Sequence, residues 1–202
     1  MRVAGLPNLS DHWTSELMSD QSPQQSEQDS VSKTRIRRNL LRWMPLAVLV
    51  AGLDQATKAW VTLLLVHGER IQVLPFFAWV RWHNEGAAFS FLASAGGWQR
   101  WFFIVLALVF SVYVIWEIAR LSDRERNLGW VYGLILGGAV GNVIDRILHG
   151  HVVDFVLLHY QQHIFPAFNV ADSALFCGVV LWGILLLQEF RQDRADQRRA
   201  VK

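Results

Sequence analysis

Cysteine is almost absent from this 202-residue chain: Cys177 is the single one. One thiol builds no disulfide framework, and within an apolar run Cys177 reads as a small packing residue. Excess charge is also lacking. The formal net charge is +2, and the basic residues lie in separated clusters, so a nucleic-acid partner is not expected. No Gly-x-Ser-x-Gly elbow surrounds a serine, and there is no His-Glu-x-x-His. Two common routes to hydrolysis thereby lose their usual signatures. The most informative gap is local: residues 149–169 contain neither Lys nor Arg.

Long apolar runs are what the chain has instead. Four of them cover residues 44–66, 101–119, 128–148 and 170–190. Each is about 19–23 residues, enough to cross roughly 30 Å of hydrocarbon as a helix. The expectation is an all-α membrane protein of four transmembrane helices. The first run is too long for the h-region of a cleavable signal peptide and has no small-residue cleavage site after it, so none is expected. Residues 1–39 read as a disordered polar cytoplasmic tail, 40–191 as the four-helix membrane domain, and 192–202 as a basic cytoplasmic tail.

Positive charge sets the orientation. Lys33, Arg35, Arg37, Arg38 and Arg42 precede the first run, Arg120, Arg124 and Arg126 follow the second, and Arg191, Arg194, Arg198, Arg199 and Lys202 follow the fourth. The connection at 67–99 has only Arg70 and Arg81. Both termini are therefore expected in the cytoplasm and the two longer connections outside. The first of these alternates at Ile71, Val73, Phe77 and Trp79 and is loaded with aromatic residues. It reads as a small β-containing cradle on the outer membrane face, with "GAAFS" letting backbone approach a ligand.

Polar groups inside such spans need partners. Asp54 and Lys58 stand four residues apart and share a helix face, a buried strut or a part of the chemistry. In the third run Gly133, Gly137 and Gly141 repeat at four-residue spacing, a stripe for close helix packing, beside Gly138, Asn142 and Arg146. At about 1.5 Å per residue, Lys58 and Asn142 both lie roughly 21 Å into their spans and Asp145 roughly 26 Å. Asp154 follows shortly after, and Asp172 opens the fourth run. Lys58, Asn142, Asp145, Arg146, Asp154 and Asp172 thus converge near the outer boundary of the hydrocarbon.

Asp172 has a structural reading, as the N3 partner of an Asn169 N-cap. Asp145 and Arg146 can neutralise each other. Asp154 has no local cation, and so is the hardest to explain as structure. Two carboxylates sharing a site cannot both ionise easily; one keeps a proton while the other serves as base. Asp154 and Asp172 are the choice for a pair that activates water against an amide carbonyl. A zinc site from His149, His151, His159 and His163 with Asp154 is weaker, and no metal or cofactor is expected. A proton-coupled transporter using Asp54–Lys58 and Asp145–Arg146 is the rival function, and a non-catalytic scaffold a second.

"LDQATK", "NEGAAF", "GGAVGNVIDR", "VVDF" and "FNVADS" occur in this order relative to the four runs. In this the chain resembles the bacterial lipoprotein signal peptidases, the type II signal peptidases, a family of intramembrane aspartic peptidases. The resemblance covers roughly residues 40–190. It implies cleavage of prolipoproteins just before a diacylglyceryl-modified cysteine, in the bacterial cytoplasmic (inner) membrane. It implies Asp154 and Asp172 as catalytic residues, with Asn84, Gly86, Asn142, Arg146 and Asn169 lining the site. Asp54, Lys58 and Asp145 are then supporting residues. Membrane lipids and globomycin-type inhibitors are further implied partners.

Overall fold

The computed structural model describes residues 23–86, 98–161 and 163–200. Four long helices and a small antiparallel sheet alternate along the chain. Helix α1 is Pro23–Leu64, followed by strands β1 (Arg70–Leu74) and β2 (Phe77–Asn84). Then come α2 (Trp98–Arg120), α3 (Leu128–Leu148), β3 (Val152–Tyr160), β4 (His163–Ile164) and α4 (Val170–Ala200). Helices α2, α3 and α4 are long and apolar enough to cross a membrane. Helix α1 is longer than the first apolar run. Its N-terminal part, read from composition as disordered tail, is helical from Pro23 onward, because its Gln, Glu, Lys and Arg are good helix formers with no glycine among them.

The glycines of α3 determine how the helices meet. Gly133 faces Leu46 of α1, and a Cβ on Gly137 would lie 2.7 Å from the carbonyl oxygen of Ala47. On the side toward α4, a Cβ on Gly138 would lie 2.4 Å from the carbonyl oxygen of Ala171. Around these contacts Trp43, Val114, Ile118, Val131 and Leu136 form the buried core between α1, α2 and α3. Cys177 does not join it: the thiol is exposed on the outer side of α4, which corrects the packing role expected for it.

The close approach gives a sharp test. Gly138→Ala puts a methyl group against backbone that cannot rotate away, at an expected cost of about 1–3 kcal/mol. Gly52 has open space where its Cβ would be, so Gly52→Ala should be neutral or stabilising by about 0.4–1 kcal/mol. Thermal melts of the two purified variants check this, and equal melting temperatures would contradict it.

The sheet has the order β1-β2-β3-β4, with β2 and β3 antiparallel and a bulge between Trp79 and Trp82. Arg81 ties it to α1, donating from Nη1 to the carbonyls of Thr62 and Leu65 at the helix C-terminus, where a cation is favoured. Helix α3 stops at Leu148, and Gly150, at φ 85°, turns the chain into β3. The β structure expected in the 67–99 connection is present. Strand β3, read from sequence only as part of a connection, is an addition to it.

Candidate active site

Helices α1 and α3 end, and α4 begins, at the end of the bundle that carries the sheet, and the polar residues gather there. Asp54, Asp145 and Asn169 are 0–1% exposed, and Lys58 and Asp154 are 3% exposed. The structure brings Asp54, Lys58, Asn84, Asn142, Asp145, Asp154, Asn169 and Asp172 into one hydrogen-bonded network.

Its base is a buried ion triad. Lys58 Nζ lies 2.7 Å from Asp54 and 3.0 Å from Asp145, and donates to Asn142 Oδ1 at 3.2 Å. All three ammonium protons therefore have acceptors. Each carboxylate then reaches outward from the triad. Asp54 Oδ1 accepts the Ala171 N–H in the first turn of α4 (2.9 Å), where a negative charge is favoured. Asp145 Oδ2 accepts the Val153 N–H (3.0 Å) and so fixes the start of β3 next to Asp154. Asp145 thus pairs with Lys58, not with Arg146 as the sequence suggested, because consecutive helical residues face different neighbours. Gln55, which sequence reasoning passed over, donates to the other oxygen of Asp145 at 2.8 Å and to the carbonyl of Gly141 at 3.1 Å. Its place inside "LDQATK" was the available signal.

Above the triad, Asn142 and Asn169 link two carboxylates. Asn142 Nδ2 donates to Asp172 Oδ1 (2.8 Å), and Asn169 Nδ2 donates to Asp154 Oδ1 (2.8 Å). Asn169 Nδ2 also reaches Asn142 Oδ1 at 3.3 Å. The expected capping box is present: Asp172 N–H donates to Asn169 Oδ1 (2.9 Å) and Asn169 N–H to Asp172 Oδ2 (3.3 Å). Phe168 pairs with Val156 of β3, and that register sets Asn169 beside Asp154. From β2, Asn84 Nδ2 donates to Asp154 Oδ2 at 3.1 Å. Gly86, at φ 102°, closes a turn by donating its N–H to Asn84 Oδ1. The rest of "GAAFS" lies outside the described residues.

Asp154 has amide partners and, among the described residues, no contacting cation. Burial, then the nearby Asp172 charge, push its carboxyl up to about 7, against the opposing pull of the two asparagines and Lys58. Arg146 approaches from α3, donating from Nη1 to the Asn142 carbonyl at 3.3 Å.

His67, His83 and His151 stack with ring centroids 3.9 and 3.7 Å apart. Burial and the neighbouring His151 and His67 lower His83 to about 4, so it is neutral at physiological pH. No group of three metal-ligating side chains is found among the described residues.

Residues 46–188 match the family model for signal peptidase (SPase) II. The lipoprotein signal peptidase of Xylella fastidiosa (strain 9a5c) is 48% identical over 150 residues, 74% of this chain and 90% of that protein. That of Pseudomonas putida (strain KT2440) is 48% identical over 158 residues, 77% and 91% of the two chains. A solved bacterial membrane enzyme superposes with a TM-score of 0.64 at 32% identity, covering 74% of this chain and 89% of the other.

Proposed function

The chain belongs to the signal peptidase II family, and from that membership we propose that Asp154 and Asp172 cut prolipoprotein signal peptides just before the lipid-modified cysteine. The protein is a peptidase that removes signal peptides from prolipoproteins, and the transporter reading is not favoured. The observation that carries the choice of residues is the bond pattern around Asp154. It is a buried carboxyl held by two asparagine amides beside a second carboxylate, with Lys58 engaged by Asp54 and Asp145.

In the proposed mechanism the pair holds one proton. The ionised carboxylate takes a proton from water as the oxygen attacks the scissile carbonyl. The protonated partner donates to the carbonyl oxygen; the proton taken from water then passes to the leaving nitrogen as the C–N bond breaks, and the tetrahedral hydroxyl returns its proton to the partner carboxylate as the new carboxyl group forms. Asn142, Asn169 and Asn84 hold the two carboxyl groups in place, so little reorganisation is needed at the reacting atoms.

Helix α1 is read as a fourth span, with Asp54, Gln55 and Lys58 turned toward α3 and α4 and not toward lipid. Its exposed Leu53, Trp60, Leu63 and Leu64 support this. Both termini are placed in the cytoplasm and the sheet outside the bacterial inner membrane, as the basic clusters favour. Exposed Leu74, Phe76, Ile164 and Phe165 at the far end of the sheet suit contact with membrane lipid. A cyclic peptide of the globomycin type is expected to compete for the same site.

The test is cleavage of a diacylglyceryl-modified prolipoprotein by the purified protein, with the unmodified precursor alongside. Cleavage of the modified form that survives chelators supports the reading; no cleavage of either form defeats it. The pH profile follows from Asp154. The shared proton is kept below the value near 7 and lost above it, so kcat/KM should fall on the alkaline side with a midpoint near pH 7. The apparent value belongs to the pair and not to one residue. A rate that stays level from pH 6 to 9 would contradict a shared proton.

A further inference from the structure

Arg146 is loosely tied for a residue so near the two carboxyl groups. Among the described residues its guanidinium donates one long hydrogen bond, to the Asn142 carbonyl, and its buried Nε has no hydrogen-bond partner. Asp172, Asp154 and Asp145 act on its charge from α4, β3 and α3, while the other cation, Lys58, is fixed on Asp54 and Asp145. An aromatic ring lies against the guanidinium. Phe103, in the second turn of α2, lies with its ring centroid 5.2 Å from Arg146 Cζ. It is half-buried and packs edge-to-face on Phe102 at 5.4 Å.

The same ring touches the turn that serves Asp154. A Cβ at position 86 would lie 2.4 Å from Phe103 Cε2, and the Gly86 N–H holds Asn84 Oδ1 while Asn84 Nδ2 holds Asp154. One side chain from α2 therefore contacts both the cation beside the pair and the turn that supplies an amide to it.

We propose that Phe103 is a positioning residue for the peptidase: its ring face holds the Arg146 guanidinium beside Asp172 and Asp154 and braces the Asn84–Gly86 turn. This rests on the reading of Asp154 and Asp172 as the acting pair. A cation over an aromatic face is attracted by the ring quadrupole, more strongly where water is excluded. Leucine or methionine fills similar space but has no such face, whereas tyrosine keeps it. Without the ring, Arg146 swings away from the carboxyl groups. Removing a cation from their vicinity raises the pH at which the shared proton is lost.

The experiment compares purified parent, Phe103→Leu, Phe103→Met, Phe103→Tyr and Asp154→Asn on a diacylglyceryl-modified prolipopeptide across pH. Leu and Met should lower kcat/KM by about 10- to 30-fold, with the alkaline midpoint moved upward. Tyr should stay within about threefold of the parent, since the ring face is retained. A parent-like rate and pH profile for Phe103→Leu, with Asp154→Asn inactive, overturns the role of Phe103 alone. A loss in Phe103→Tyr as large as that in Phe103→Leu also overturns it, because shape and not the ring face would then be responsible. An active Asp154→Asn overturns the acting pair, and the inference with it.

Discussion

Replacing Asp154 by Asn should give a protein that melts at a higher temperature than the parent and does not cut. The two effects share one cause. In the folded protein the carboxyl sits near 7 instead of the ordinary 3.8, mainly through burial. Between those values the folded state holds a proton that the unfolded state has released. Stability from this group is therefore present at low pH and falls as pH rises through that window, levelling off above about 7. Asparagine is neutral at every pH, and its carbonyl oxygen can accept from one of the two neighbouring asparagine amides. The gain should be small near pH 4, larger at pH 5 and full at pH 8. Each kcal/mol corresponds to a rise of about 2–4 °C for a domain of this size. Activity should move the other way by roughly 10²- to 10⁴-fold, the ordinary worth of a positioned acid–base group. Melting curves at pH 4, 5 and 8 with kcat/KM at pH 6 measure both. A variant that is destabilised equally at all three pH values would remove the argument from burial.

Lys58→Met should be the most damaging single change for the fold. The ammonium is 2.7 Å from Asp54 and 3.0 Å from Asp145, and all three groups are almost fully buried. Removing it leaves two facing carboxylates and an Asn142 oxygen without their donor. Breaking a buried pair from one side costs about 3–5 kcal/mol. Here the loss also releases the first turn of α4 through Asp54 and the start of β3 through Asp145. Both catalytic candidates should therefore move. The double variant Lys58→Met, Asp145→Asn should recover part of the stability, because one uncompensated charge is gone. Yield and melting temperature of purified protein report the outcome; a single variant within about 1 kcal/mol of the parent would mean the triad is not holding these elements.

Much of the site was legible because its signals are local or concern cost. Asp54 and Lys58 show their pairing by four-residue spacing, and Asn169 and Asp172 show the capping box by three. Asp154 stands out because a carboxylate without a nearby cation is expensive beside a membrane span. Depth along the helices brings Lys58, Asn142 and Asp145 to similar levels. It says nothing of which faces meet, so the Lys58–Asp145 bond and the work of Gln55 were not readable. The same limit explains Phe103, one of many aromatic residues in an apolar run until α2 is packed against α3. Strand β3 was missed because its apolar sequence gains strand form from β2, whose partner residues lie about 70 positions earlier. Three helices declare themselves as membrane spans by composition. Helix α1 dilutes that signal with the charged residues the site requires.

A single cleavage assay tests the Asp154–Asp172 pair most directly. Parent, Asp154→Asn and Asp172→Asn are purified, checked for equal monodispersity and for a cooperative melt no lower than the parent's, and given a diacylglyceryl-modified prolipopeptide at pH 6, with products identified by mass. The parent should release the signal peptide by one cut before the modified cysteine, and each variant should be slower by at least about 100-fold. Near-parent cleavage by either variant would contradict the shared-proton pair and move the search to Asp145, the remaining buried carboxylate that touches β3.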